Sequence, residues 1–279
     1  MDGDASVVTS AESKVEATLA GGRSVRRSGA VALRIVLPAL TIAALLGLWW
    51  LAIPVFDWEP FLVPSPKDVW DEMVDQRALL FDGFKTTLYE SLVGFALAIA
   101  IGVPFAVAIA YSRLLELTIY PALVALNAIP KIAIAPLLVI WMGFGIGPKI
   151  AMVVLICFFP IVISTATGLK STPSELVDLA RSLSASAFQE FVRIRFPWAL
   201  PYVFVGLKIA IALAVIGAVV GEFVGATEGL GYVIIASGQN ANTTLAFAAI
   251  VLLSVLSVVL FYLLVLLERV FVPWSEEQR

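Results

Sequence analysis

The chain has 279 residues, 61% of them hydrophobic and only 14% charged, with a mean hydropathy of +0.99. A soluble domain is nearer half apolar and about a quarter charged, and a soluble fold of this length could not hide so much apolar surface. The formal charge of -3 says little by itself, because in a membrane protein the placement of charge matters more than its sum. A single cysteine, Cys157, and no histidine exclude an intrachain disulfide and a Cys/His zinc site, and remove the usual general base. Cys157 lies in an apolar run and reads as a small hydrophobe.

Residues 1–32 are rich in Ser, Ala, Gly and Arg and read as a disordered tail. The apolar run at 35–56 is too long for the core of a signal peptide and lacks a small-residue cleavage pattern, so it reads as a retained first span. Five further stretches are long enough to cross a bilayer, at 88–111, 119–143, 150–169, 198–220 and 245–270. The expectation is an all-α, polytopic membrane protein of about six transmembrane helices, with a transmembrane domain over 33–272 and a short tail at 273–279. Pro104, Pro130, Pro136 and Pro160 fall inside these spans, where neighbouring helices can satisfy the freed backbone groups.

With the N-terminus inside, twelve of the eighteen basic residues are cytoplasmic, from Lys14 and the Arg23–Arg34 cluster to Arg113, Lys170, Arg181, Arg193, Arg195, Arg269 and Arg279. Four (Lys67, Arg77, Lys85, Lys149) fall outside, and Lys131 and Lys208 lie within spans. The bias places both termini in the cytoplasm of a cell or inner membrane. In the first outer segment, Ser65-Pro66 opens a short helix to about Gln76, with Val69, Trp70 and Met73 on its apolar side.

The longest inner connection, 170–197, opens with Thr172-Pro173-Ser174-Glu175, the pattern of a capping box, and continues with Leu176, Leu179, Leu183 and Ala187 at helical spacing. Another turn begins near Ser186. An amphipathic helix there either packs on its own bundle or seats in a partner's groove.

These residues resemble a family signature. ABC importer permeases carry E-A-A, three residues, G, nine residues, then I-x-L-P; this chain has Asp178-Leu179-Ala180, then Ser184, then Ile194-Arg195-Phe196-Pro197 at the same spacing. From about residue 35 onward, Val63-Pro64-Ser65-Pro66, Gly94-Phe95, Ile129-Pro130, Ala135-Pro136-Leu137 and Gly229-Leu230-Gly231-Tyr232, with Glu222 ahead of the glycines, resemble the nitrate/sulfonate/taurine branch. The resemblance implies a permease with a cytoplasmic coupling-helix loop. Asp178, Leu179, Ala180, Ser184, Ile194 and Pro197 would then couple it to an ABC ATPase dimer, with a substrate-binding protein and a second permease copy completing the assembly. A bulky charge at Ala180 or Ser184 is expected to abolish uptake and spare the fold. No G-x-x-x-x-G-K-[ST] segment occurs, so ATP and Mg are expected on the partner, no cofactor on this chain, and no nucleic acid among its partners.

Among charges in the spans, Lys208 reads as a snorkelling structural residue and Glu90 as interfacial. Glu222 either lines a path or orders the glycine-rich loop beside it. Lys131, between two prolines and one turn after Asn127, either contacts an anionic or electron-rich solute or pairs with Glu222 or Glu90. The rival reading is an ion-gradient-driven secondary transporter or channel, which would call for paired acidic residues at the midplane and an inverted repeat. A more distant reading is an intramembrane enzyme.

Overall fold

A computed structural model describes residues 36–37, 40–56, 59 and 61–274. The expected tail at 1–32 lies outside them, as does most of that at 273–279. The chain divides into two compact units, Met1–Pro66 and Lys67–Arg279. The first holds helix α1, Leu40–Phe56. At 1.5 Å per residue its 17 residues reach about 25 Å, the short end of what spans a bilayer.

The second unit is helical throughout its ordered elements. Helix α2 (Pro66–Asp75) starts on its proline and buries Val69, but Trp70 is 64% exposed rather than packed. Helix α3 (Arg77–Tyr111) begins eleven residues before the expected start at 88. Asp82 and Lys85 lower the local hydropathy, yet they form an i,i+3 ion pair on the helix surface and do not interrupt it.

The expected third span is not one helix. Helix α4 (Arg113–Asn127) stops before Pro130, a 3-10 turn follows at Lys131–Ile134, and helix α5 (Ala135–Met142) departs at 87°. Pro130 has no amide donor and disfavours helical geometry at the residue before it, whereas Pro136 suits the first turn of the new helix. Helices α6 (Ile146–Lys170), α9 (Phe196–Phe223) and α11 (Thr243–Phe271) are continuous and apolar. Two short helices, α7 (Ser174–Ser182) and α8 (Ala187–Glu190), lie in the α6–α9 connection, and α10 (Leu230–Gln239) fills the glycine-flanked stretch before α11. Among the described residues four helices are long and apolar enough to span a membrane, and the bent α4–α5 pair is a fifth candidate.

Helices α3, α6, α9 and α11 enclose the main core, with Phe95, Val153, Cys157, Phe204, Ile211 and Leu256 inside. Two glycines set how closely they approach. A Cβ at Gly217 on α9 would lie 2.9 Å from Val153 Cα, and one at Gly94 on α3 would strike the Val153 side chain from the other side. Small residues of this kind let membrane helices pack backbone to backbone. Cys157 is fully buried and donates to the Ala210 carbonyl at 3.1 Å, a packing role.

Candidate functional site

The α6–α9 connection is an ordered structure. Thr172 does not cap α7. Its hydroxyl donates to the Leu169 carbonyl, and the extended Pro173 occupies the cap position with no side-chain bond. The helix starts one residue later than the sequence pattern requires, so Thr172 is out of reach of the first amides. The capping box forms instead at α8, where Ser186 and Gln189 exchange backbone-to-side-chain bonds of 3.3 and 2.9 Å. Between the two helices Ser184 sits at φ 59°, with Ser184 N bonded to Arg181 O and Ala185 N to Ala180 O. That is a Schellman ending whose left-handed position glycine usually fills. Serine keeps the turn at a cost of roughly 1 kcal/mol.

Leu176, Leu179 and Leu183 form the helical stripe seen in the sequence, but they face outward, at 37%, 57% and 75% exposure. Val177 and Ala180 are the residues buried against the chain. Leu179, Ala180, Ile194 and Pro197 come together with Leu176, Leu183, Trp198 and Trp274 around an open groove of about 610 Å³. Asp178 and Ser184 are exposed but do not line it. Ala180 is buried but borders the groove, so a charge there is expected to cost α7 some stability as well as altering the groove.

One residue that sequence reasoning passed over holds this segment together. The Glu190 carboxylate, 7% exposed, accepts from Arg195 Nε at 2.6 Å and Arg181 Nε at 3.2 Å. Arg195 in turn lies over the Tyr111 ring at the end of α3, and Phe191 packs edge-on against the same ring. Residues five apart diverge on an α-helix; the π-helical turn at Phe191–Arg195 brings Glu190 and Arg195 together. Only that unusual turn could have signalled the pair.

The Arg195 hydrogen bond, with Arg181 adding to it, holds the Glu190 carboxyl below its ordinary value of 4.5. A depressed carboxylate stabilises the fold fully above the unfolded value and loses that contribution as pH falls through the folded one. Glu190→Gln at pH 7 is therefore expected to speed hydrogen exchange over 174–195, as lowering the pH below that ordinary value should in the parent protein. Mass spectrometry at matched intrinsic rates checks this, and equal protection in the two proteins would remove the ion pairs from the account.

At the α4–α5 break, Lys131 Nζ donates to the Asn127 carbonyl and to Asn127 Oδ1, both at 2.9 Å, and stands 4.6 Å above the Phe159 ring. The two residues share a face as their spacing implies, and line a cavity of about 330 Å³ with Ile132, Ile156, Pro160, Ile209, Leu213 and Ile216. Glu222 does not line it.

Neither acid considered as a partner for Lys131 pairs with it. Glu222 is buried, accepting from Thr87 Oγ1 at 2.7 Å and from Gly231 N at 2.5 Å, while Leu230 N donates to the same threonine hydroxyl. A Cβ on Gly231 would lie 2.7 Å from the carboxylate and one on Gly229 would overlap it. The two glycines thus make the seat through which Glu222 orders the start of α10. Glu90 is paired within the protein and not with Lys131. It is 0% exposed and accepts from Lys149 Nζ at 2.7 Å, and Lys149, in the first turn of α6, is itself buried. The early start of α3 puts Glu90 more than three turns inside that helix, where it faces the first turn of α6. Lys208 pairs with Glu268 at 2.8 Å, a structural role.

The description "Binding-protein-dependent transport system inner membrane component" matches residues 98–272. The formylaminopyrimidine transport permease protein ThiX of Halalkalibacterium halodurans is 37% identical over 242 residues, covering 86% of this chain and 96% of that protein. The taurine transport system permease protein TauC of Escherichia coli is 28% identical over 244 residues, covering 85% and 89%. A chain of the MetNI methionine ABC transporter in an inward-facing conformation superposes with a TM-score of 0.63 at 23% identity, covering 71% of this chain and 98% of that one. At that identity the superposition speaks for the fold alone.

Proposed function

The chain belongs to the binding-protein-dependent transport system inner membrane components and is the multi-pass permease subunit of an ABC importer, and from that premise we propose how it is coupled and what it carries. The α6–α9 connection faces the cytoplasm, as do both termini, and docks on a separate ATPase dimer that binds ATP and Mg; this chain itself binds no cofactor. A second permease copy completes the pore, and a substrate-binding protein delivers the solute. The solute is a small molecule such as a sulfonate, taurine, nitrate, or an aromatic or vitamin-precursor compound; relatives named for formylaminopyrimidine and taurine support that range.

The observation that carries the reading is the outward-facing stripe of Leu176, Leu179 and Leu183 on a segment braced by Glu190. Exposed leucines on a rigid helix outside the apolar spans suit a partner's groove. ATPase closure would drag this segment and tip the bundle between inward- and outward-facing states. The permease contributes the difference in its own contacts between the two states.

Affinity purification of the tagged chain from solubilised membranes, followed by mass spectrometry, tests the proposal. An ATPase carrying a G-x-x-x-x-G-K-[ST] segment is expected in the bound fraction. A homo-oligomer without any ATPase, moving solute in liposomes on an ion gradient alone, would move the protein to the secondary-transporter class.

A further inference from the structure

We infer that the cavity at the α4–α5 break is a solute-contact site selective for a negatively charged head group, with Lys131 supplying the charge and Asn127 positioning it. The inference rests on the permease reading above and names the chemistry that one step of the path prefers.

Three observations converge on this cavity. Lys131 is the only ionisable residue lining it, and the other walls, apart from Asn127, are aliphatic or proline. Its ammonium is hydrogen-bonded, but only to neutral acceptors, the Asn127 carbonyl and side-chain amide oxygen, with the Phe159 ring beneath it. No carboxylate pairs with it among the described residues. The other lysines deep in the bundle, Lys149 and Lys208, each hold a glutamate below 3 Å.

A cation in apolar surroundings is costly unless compensated. The carbonyl end of α4 offsets part of the charge, since Asn127 is its last residue. The remainder acts on whatever enters the cavity, and low-dielectric walls strengthen the attraction for an anion. Pro160 also leaves the Ile156 carbonyl without its usual helical donor, so the wall is not uniformly apolar. At about 330 Å³ the space suits a small solute with one charged head and a compact body.

Arrival of an anion would cost Lys131 little. Its flexible stem need release only one of the two Asn127 acceptors. A neutral solute gains no such charge attraction. The site would therefore discriminate by charge first and by shape second.

Cysteine chemistry reads this property without knowledge of the natural solute. Cys157 is buried, so the parent chain is a quiet background. Ile132→Cys and Ile209→Cys place thiols on two walls of the cavity, in the full chain reconstituted with whatever ATPase co-purifies. The rates of modification by anionic sulfonatoethyl and cationic trimethylammonioethyl methanethiosulfonate are then compared. An anion-over-cation preference of about tenfold is expected with Lys131 present. It should vanish with Lys131→Gln, persist with Lys131→Arg, and be reduced by millimolar ethanesulfonate as a competing anion. An unchanged preference in Lys131→Gln, or two unreactive cysteines, overturns the inference. Absence of a co-purifying ATPase would instead count against the permease coupling, and the rate ratio would still be read on the chain alone.

Discussion

Lys149→Met is expected to be the most damaging single substitution in the bundle, lowering stability by about 3–5 kcal/mol because it strands a buried carboxylate. Glu90 is fully buried, and its second oxygen, Oε2, has no hydrogen-bond partner among the described residues. Everything therefore rests on the 2.7 Å contact between Oε1 and the ammonium. Removing the lysine leaves a desolvated acid that must either stay charged without a partner or take up a proton. Glu90→Gln combined with Lys149→Met should recover most of the loss, since a neutral pair carries no ionic desolvation. The melting temperature in detergent and the amount of protein reaching the membrane measure both variants. If Lys149→Met melts with the parent, the ion pair contributes nothing to stability and Glu90 is neutral in the folded bundle.

Leu183→Glu is expected to have the largest functional effect with the smallest structural one. Leu183 is 75% exposed at the end of α7 and borders the open groove, so a carboxylate there disturbs no internal packing. An unpaired carboxylate carried into an apolar interface costs about 2 kcal/mol or more, enough to weaken ATPase docking roughly thirtyfold at the coupling surface proposed above. Uptake in reconstituted vesicles should fall to background while the melting temperature stays put. Phe188→Glu, 74% exposed on the next short helix, serves as the companion. Ala180→Glu is the poorer choice, because the burial of Ala180 would mix a cost in α7 stability with any loss of docking. Normal uptake by both exposed-site variants would place the docking surface elsewhere.

Much of the architecture was legible because apolar runs of membrane length leave few alternatives. The prolines were legible in part. Pro130 and Pro136 marked strain in the third span, but a hydropathy window averages across a bend, so the 87° turn did not register. The start of α3 was misplaced for a related reason, since Asp82 and Lys85 look like a boundary unless their i,i+3 pairing is foreseen. With α3 started late, the buried pairing of Glu90 with Lys149 could not be foreseen. In the α6–α9 connection the leucine stripe was correctly periodic, yet periodicity does not say which side of a helix is covered. The structure turns the leucines out and Ala180 in. Glu190 was invisible because its partners lie nine residues before and five after, spacings to which α-helical periodicity assigns no contact. Serine at position 184 obscured a turn that glycine would have announced, and its backbone bonds show that the turn is built all the same.

Helix α9 has a mechanical consequence. Its 28 residues make a rod of about 42 Å. One end is continuous with the π-helical turn that grips Glu190, and near the other Glu222 accepts the Gly231 amide in the first turn of α10. The rod has no free end. A tilt of about 5° around its middle would carry each tip by nearly 2 Å, a displacement of the size seen between packed helices elsewhere. A push on the α6–α9 connection would thus reach α10 as a movement in the opposite direction, with no chain of rearranging side chains in between.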